Sequence, residues 1–228
     1  MSTTVNHQIL LDNRPVGEAT AANFKLVEVP VPDAASLKTG EVLVRHHYLS
    51  LDPYMRGRMN DSRSYAEPQP LGQVMIGGTV GEVVASAHPK FAVGDKVVGM
   101  GGWQEYSVID ANQRGALSKV DTTHIPLSAY LGSVGMPGVT AWYGLVKIIA
   151  PKAGETVVVS AASGAVGSVV GQLAKARGCR VVGVAGGADK CAYVVNELGF
   201  DACIDYKANP DPKSFYKALR DATPNGID

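Results

Sequence analysis

The amino-acid sequence predicts an α/β protein with an all-β N-terminal domain, its second half built on a parallel sheet. Three observations predict this. Short alternating strand patterns separated by turns run up to about residue 132. Near residue 133 the pattern changes to strands and helices in alternation. Inside that second part, "TVVVSAASGAVGSVVGQLAKA" reads as an apolar strand, a glycine turn and a helix. The expected domains are 1–132 and 133–228.

The elements follow in order. "ANFKLVEVPVPD" is a strand closed by a proline pair, and "KTGEVLVRHHYLSLDP" is a turn followed by an alternating strand. "GGTVGEVVASAHPKFAVGDKVVGMGGWQEYSVID" repeats strand and turn, as a small antiparallel barrel or sandwich requires. "MPGVTAWYGLVKIIA" reads as a helix with Pro137 in its first turn and Ala141, Leu145, Val146 and Ile149 along one side. After the turn "PKAG" come a buried strand, a helix over Ala165–Arg177, a strand over Arg180–Ala185, a helix over Lys190–Leu198, a short strand over Ala202–Asp205 and a helix over Lys213–Ala222. Strands and helices of these lengths imply right-handed crossovers and a parallel sheet.

Composition narrows the function classes. The 228 residues carry 21 Lys and Arg against 21 Asp and Glu, so no basic face for nucleic acid is expected. No apolar stretch approaches the roughly 20 residues of a membrane span. The start, "MSTTVNHQILLDNRP", lacks the basic lead and apolar centre of a secretory signal, and a cytoplasmic setting is expected. Cys179, Cys191 and Cys203 lack C-x-x-C spacing and read as ordinary thiols. His7, His46, His47, His88 and His124 are scattered and do not form a metal set.

The glycine turn carries the chemistry. A strand, a glycine turn and a helix N-terminus leave backbone N–H groups free to meet an anion, and the helix dipole favours negative charge. Gly164 and Gly167 let the backbone approach a pyrophosphate, and Gly171 lets the helix pack closely on the sheet. An NAD site usually places an acid about 20 residues beyond the glycines, to hold the ribose 2′-hydroxyl. Here the stretch is "VVGVAGGADK": Gly186, Gly187 and Ala188 follow the strand without a carboxylate. Such a turn has room for a 2′-phosphate, which Lys190 would neutralise, while Asp189 comes later than an NAD site needs. NADP(H) is the expected cofactor.

"LGSVGMPGVTAWYGL", "AASGAVGSVVGQLAK", "LGFDACIDYK" and "LSLDPYMRGRM" together resemble the medium-chain dehydrogenase/reductase superfamily. More closely, the sequence resembles its zinc-free branch of NADPH-dependent enone and 2-alkenal double-bond reductases, which includes the prostaglandin/leukotriene reductases. The stretch "RMNDSRSYAEPQPLGQVM" is most similar to the bacterial curcumin reductases. This resemblance implies a GroES-like barrel followed by a Rossmann domain. It implies that the loop from Ala162 to Gly167, with Gly164, Ala165 and Val166, holds the pyrophosphate. It further implies that Lys190 and Tyr206 meet the 2′-phosphate and that Gly186 is among the cofactor-binding residues. Met136 is expected beside the nicotinamide, and Pro53 and Tyr54 in the cleft near nicotinamide and substrate, with Tyr65 as a substrate-side wall.

Metal-dependent relatives in that superfamily carry a cysteine where this chain has "LSLDPYMR", and a glycine-histidine-glutamate triplet where it has "GGTVGEVV". No zinc is therefore expected, and alcohol oxidation is not the expected reaction. The activity implied is delivery of hydride to the β carbon of an α,β-unsaturated ketone or aldehyde and of a proton to the α carbon. An NADPH:quinone reductase is the alternative enzyme, and a non-catalytic nucleotide-binding or interaction protein is the alternative of another class. The Rossmann sheet reads as incomplete: three strands are present where six are expected. The tyrosine that the resemblance associates with proton transfer falls in the part not represented, so the catalytic residue stays unknown. The helix that carries the dimer contact of this family falls there too, and a homodimer is expected of the complete protein.

Overall fold

The computed structural model describes residues 5–228. The described residues divide into two compact units, the first ending at Leu131 and the second spanning Gly132–Asp228. The first four residues of the stretch read for a leader lie outside the described residues.

The first unit is built of antiparallel strands. β1 (Val5–Leu11) pairs with β2 (Phe24–Pro30), in a register running from Val5 opposite Pro30 to Leu11 opposite Phe24. β3 (Glu41–Leu49), β4 (Thr79–Ser86), β5 (Lys96–Gly99), β6 (Tyr106–Asp110) and β7 (Leu117–Lys119) form a five-stranded sheet in the order β6-β3-β4-β5-β7. The barrel expected from the sequence is present as this half-barrel sheet. Val42, Val44, Val83, Val97, Ile109 and Leu117 form its core, which is why the strand patterns alternate in the sequence. Gly81 sits where β4 crosses β3 too closely for a side chain: a Cβ there would lie 2.0 Å from the Arg45 carbonyl oxygen. A short helix, α1 (Tyr54–Arg58), turns Met55 into a second cluster with Leu11, Met59 and Met75. Buried Asn6 fastens β1 to β6, donating to the Tyr106 carbonyl and accepting from the Glu105 and Tyr106 N–H groups.

The second unit is α/β. α2 (Met136–Trp142) carries Pro137 in its first turn and passes directly into a wider π-helical segment over Tyr143–Ile149. The apolar spacing that predicts a single helix is the same for both forms, so the wider turn leaves no sequence signal. β8 (Thr156–Val159), α3 (Gly167–Ala176), β9 (Arg180–Ala185), α4 (Ala188–Asn196), β10 (Ala202–Asp205) and α5 (Pro212–Ala222) complete the unit. The sheet is parallel, in the order β10-β9-β8. Three helix starts differ from the sequence reading, that of α5 by one residue, at Pro212 rather than Lys213. α3 begins at Gly167 rather than Ala165, because Ala165 and Val166 belong to the turn. α4 begins at Ala188 rather than Lys190, directly after Gly187, whose φ of 104° needs a glycine.

Leu145, Val157, Val159, Ala162, Ala174, Cys179, Val181, Val194 and Phe200 form the core of this unit. Each large apolar side chain buried there contributes roughly 1.5–3 kcal/mol. Gly171 of α3 faces the Phe200 ring so closely that a Cβ would lie 1.8 Å from its Cζ. The close helix packing read from the sequence is thus contact with a specific aromatic ring. α5 is started by Asp211, whose carboxylate accepts from the Lys213 and Ser214 N–H groups, with Pro212 next. Asp228 lies along the outer edge of β8: its carboxylate accepts from the Thr156 N–H at 2.9 Å, and its N–H donates to the Thr156 carbonyl at 3.2 Å.

Candidate dinucleotide-binding site

Two turns at the carboxyl ends of neighbouring parallel strands form the candidate site. Such ends are where open α/β sheets take their ligands.

The first turn joins β8 to α3. Ala161 has a left-handed backbone, with φ at 47°, and Ala162 is fully buried beneath it. The Ala162 N–H donates to the Val184 carbonyl, tying the turn to β9. The Gly164 N–H donates to the Ala161 carbonyl at 2.8 Å, which closes the loop on itself. The Ala165, Val166 and Gly167 N–H groups have no acceptor among the described residues, whereas the Ser168 N–H already bonds to the Gly164 carbonyl. Three free donors therefore sit at the start of a ten-residue helix. Gly167 cannot be replaced without movement, since a Cβ would lie 2.3 Å from the Ala161 carbonyl oxygen. Gly164 is less confined, at 3.1 Å from the same oxygen, and is exposed with Ala165 and Val166.

The second turn joins β9 to α4. Gly186 lies under the Tyr206 phenol, and a Cβ on it would meet the hydroxyl oxygen at 2.6 Å. Lys190, in the first turn of α4, is exposed and has no ion-pair partner among the described residues. Asp189 is exposed in the same helical turn. The structure thus brings Gly186 and Tyr206 into contact, with Lys190 one helical turn away in sequence.

The acid that engages this turn is one the sequence reading did not single out. Asp205 ends β10 opposite Ala185, and its Oδ1 accepts from the Gly187 N–H at 2.8 Å and the Lys207 N–H at 2.9 Å. The Gly187 bond, more than any other contact, holds the Asp205 carboxyl below the usual carboxylate range. A search for an acid along β9 passes over it, because it arrives from the neighbouring strand. The signal available was its place in "IDYK", immediately before Tyr206.

The remaining predicted residues divide between the units. In the first unit, Pro53 is exposed and precedes α1, while Tyr54 is half-buried. Burial, and then the nearby Asp52 charge, raises the Tyr54 hydroxyl above its ordinary pKa. Tyr65 is 82% exposed and stacks on the Arg58 guanidinium, 4.7 Å from the ring centre. In the second unit, Met136 opens α2 with its side chain exposed, and its carbonyl accepts from the Thr140 hydroxyl.

Among the described residues, the cysteines and histidines do not gather into a group that could hold a metal ion. Cys179 is buried and the other two cysteines are half-buried. Burial, and then the neighbouring Cys191 thiol, pushes the Cys203 thiol up to about 12. His46 bonds through Nε2 to the Ser107 hydroxyl at 2.7 Å, and burial lowers its pKa to about 4. His7 is exposed between Glu105 and Glu28. No helix among the described residues is long and apolar enough to cross a membrane.

Both parts of the chain are similar to known proteins. Residues 7–117 match a family described as the N-terminal domain of oxidoreductase, and residues 165–228 match one described as zinc-binding dehydrogenase. The NADPH-dependent curcumin reductase of Escherichia coli is 49% identical over 98% of this chain and 62% of its own length. The NADP(+)-dependent 2-alkenal reductase of Nicotiana tabacum is 42% identical over 98% of this chain and 64% of its own length. A crystal structure of CurA from Vibrio vulnificus in complex with NADPH superimposes with a TM-score of 0.86 at 48% identity, covering 97% of this chain and 63% of that one. The chain thus spans less than two thirds of the relatives it matches. The word zinc in the second description does not fit the donors present. Among the described residues, no three His, Cys, Asp or Glu side chains lie together as a metal ion would need, so no step below runs through zinc. Matched by both halves of the same two-part architecture, and carrying its strand–glycine turn–helix unit, the chain belongs to the medium-chain dehydrogenase/reductase superfamily.

Proposed function

We propose that this chain forms the greater part of an NADPH-dependent reductase of carbon–carbon double bonds conjugated to a carbonyl. The observation that carries this reading is the pair of turns in the second unit. One presents the free Ala165, Val166 and Gly167 N–H groups, which suit a pyrophosphate. The other has no carboxylate side chain on Gly186, Gly187 or Ala188, and has Tyr206 and the unpaired Lys190 nearby, which suit a 2′-phosphate. The names of the relatives support the same reading: the E. coli, tobacco and V. vulnificus proteins are each described with NADPH or NADP(+).

In this reading the bound nicotinamide supplies a hydride, and an enone accepts it at its β carbon because the carbonyl draws electrons from the double bond. The protein's share is to hold the dinucleotide, orient the substrate and stabilise charge at the carbonyl oxygen. The β8–α3 turn fixes the pyrophosphate, and the β9–α4 turn with Tyr206 and Lys190 fixes the adenosine end. Pro53, Tyr54, Tyr65 and Met136 are the residues proposed for the nicotinamide and substrate side. The 1–132 segment is proposed as the substrate domain, and 133–228 as part of the dinucleotide domain.

The test is NADPH oxidation, followed by its loss of absorbance, with a simple open-chain enone and with the corresponding saturated ketone. Turnover of the enone alone, with formation of the saturated ketone, supports the reading. Reduction of the saturated ketone to an alcohol, or no turnover of the enone by a protein that binds NADPH, rejects it.

A further inference from the structure

The geometry points to Asp205 as a positioning residue that sets the preference for a 2′-phosphorylated dinucleotide, an assignment that rests on the NADPH reading above. The β9–α4 turn is Gly186-Gly187, two residues without side chains, and Gly187 has a φ of 104°. A glycine pair orders at a higher entropic cost than other residues and does little to hold its own shape. Its shape is imposed from the next strand, by two consecutive residues. The Tyr206 N–H donates to the Ala185 carbonyl at 3.1 Å, which extends the parallel ladder one residue past β10. The Asp205 carboxylate reaches back and takes the Gly187 N–H at 2.8 Å.

The same Oδ1 also takes the Lys207 N–H at 2.9 Å, and the Asp205 carbonyl accepts from the Asn209 side-chain amide at 2.9 Å. Asp205 therefore fixes its own loop and the glycine turn through one oxygen atom. Three features move together if that bond is lost: the bare surface of Gly186, the Tyr206 phenol over it, and the first turn of α4 that carries Lys190. NADH and NADPH differ only in the 2′-phosphate, so discrimination depends on how Tyr206 and Lys190 are placed relative to each other. Asp205 governs that placement without touching the nucleotide.

The experiment compares Asp205→Ala and Asp205→Asn with the wild type, in the full-length natural protein. Dissociation constants for NADPH and NADH are measured by nucleotide fluorescence, and thermal midpoints are taken without nucleotide. Asn keeps a carbonyl oxygen able to accept both N–H groups but removes the charge. The expected result is that Asp205→Ala loses about tenfold of the NADPH preference, the scale of one hydrogen bond. Asp205→Asn is expected to keep most of that preference.

The assignment is overturned if Asp205→Ala keeps the wild-type preference. It is overturned equally if that variant weakens both nucleotides by the same factor, as a merely structural role would. Loss in the Asn variant equal to that in the Ala variant assigns the effect to charge and overturns positioning. A wild type that binds no NADPH rejects the reading of the site itself, and the assignment falls with it.

Discussion

The Tyr206 hydroxyl occupies the space that a side chain at residue 186 would need: a Cβ on Gly186 would sit 2.6 Å from the hydroxyl oxygen and 2.7 Å from Cζ. Tyr206 is 50% exposed, so its ring can swing outward into solvent. Gly186→Val is therefore expected to displace the phenol without disturbing the core. NADPH affinity should fall by about tenfold, as expected for one lost contact to a charged group, with the thermal midpoint shifted by only a few degrees. Fluorescence titration and thermal unfolding measured on the same sample check both halves. Unchanged NADPH affinity would remove Tyr206 from the site.

The sequence made the β8–α3 turn legible because its strand, glycines and helix lie in one continuous stretch. Ala162, Gly164 and Gly167 all fall where that motif needs them. The β9–α4 turn was legible only in part. The sequence points to Gly186, Lys190 and Tyr206 but not to Asp205, whose hydrogen bond to Gly187 depends on the Asp205–Ala185 register between two strands. The Phe200 ring against Gly171 was hidden for the same reason. The π-helical turn over Tyr143–Ile149 was hidden for a different one: hydrophobic spacing does not distinguish it from an α-helix. In the first half, strand alternation marked the core, whereas the register shifts between β3 and β4 left no trace in composition.

Gly171→Val tests the contact between α3 and Phe200. The added side chain begins with a Cβ 1.8 Å from the ring Cζ, and Phe200 is 3% exposed, so neither partner has free space. Overpacking of this kind costs about 1–3 kcal/mol, and lost helix packing adds to it. Shrinking the ring in Gly171→Val/Phe200→Leu should recover part of the loss, giving a coupling term of about 1 kcal/mol in a double-mutant cycle. Chemical denaturation of the four proteins measures it. Additive single and double mutants would mean that the two residues do not press on each other.

Lys190→Ala removes a cation that the fold itself does not use, since it has no ion-pair partner among the described residues. Stability should stay within about 0.5 kcal/mol, the usual range for an exposed site. NADPH binding should weaken by about tenfold and become less sensitive to salt, while NADH binding hardly changes. Titration of both nucleotides at two salt concentrations separates charge neutralisation from simple packing. Equal loss for the two nucleotides would place Lys190 away from the 2′-phosphate.

His46 makes the stability of the first unit depend on pH. Burial lowers its pKa to about 4, against 6.5 in the unfolded chain, and its Nδ1 has no hydrogen-bond partner among the described residues. Between those values the unfolded chain binds more protons than the folded one. This contribution is therefore fully present above pH 6.5 and is lost as pH falls through the window toward 4, by about 3 kcal/mol at most. His7 moves the other way: its hydrogen bond to Glu105, foremost, raises its pKa above 6.5, and its small share is lost as pH rises. Titration followed by histidine ring resonances should show His7 protonating above the ordinary value and His46 still neutral at pH 5. His46→Gln should flatten the acid side of the stability profile, and an unflattened profile would assign the acid sensitivity to other groups.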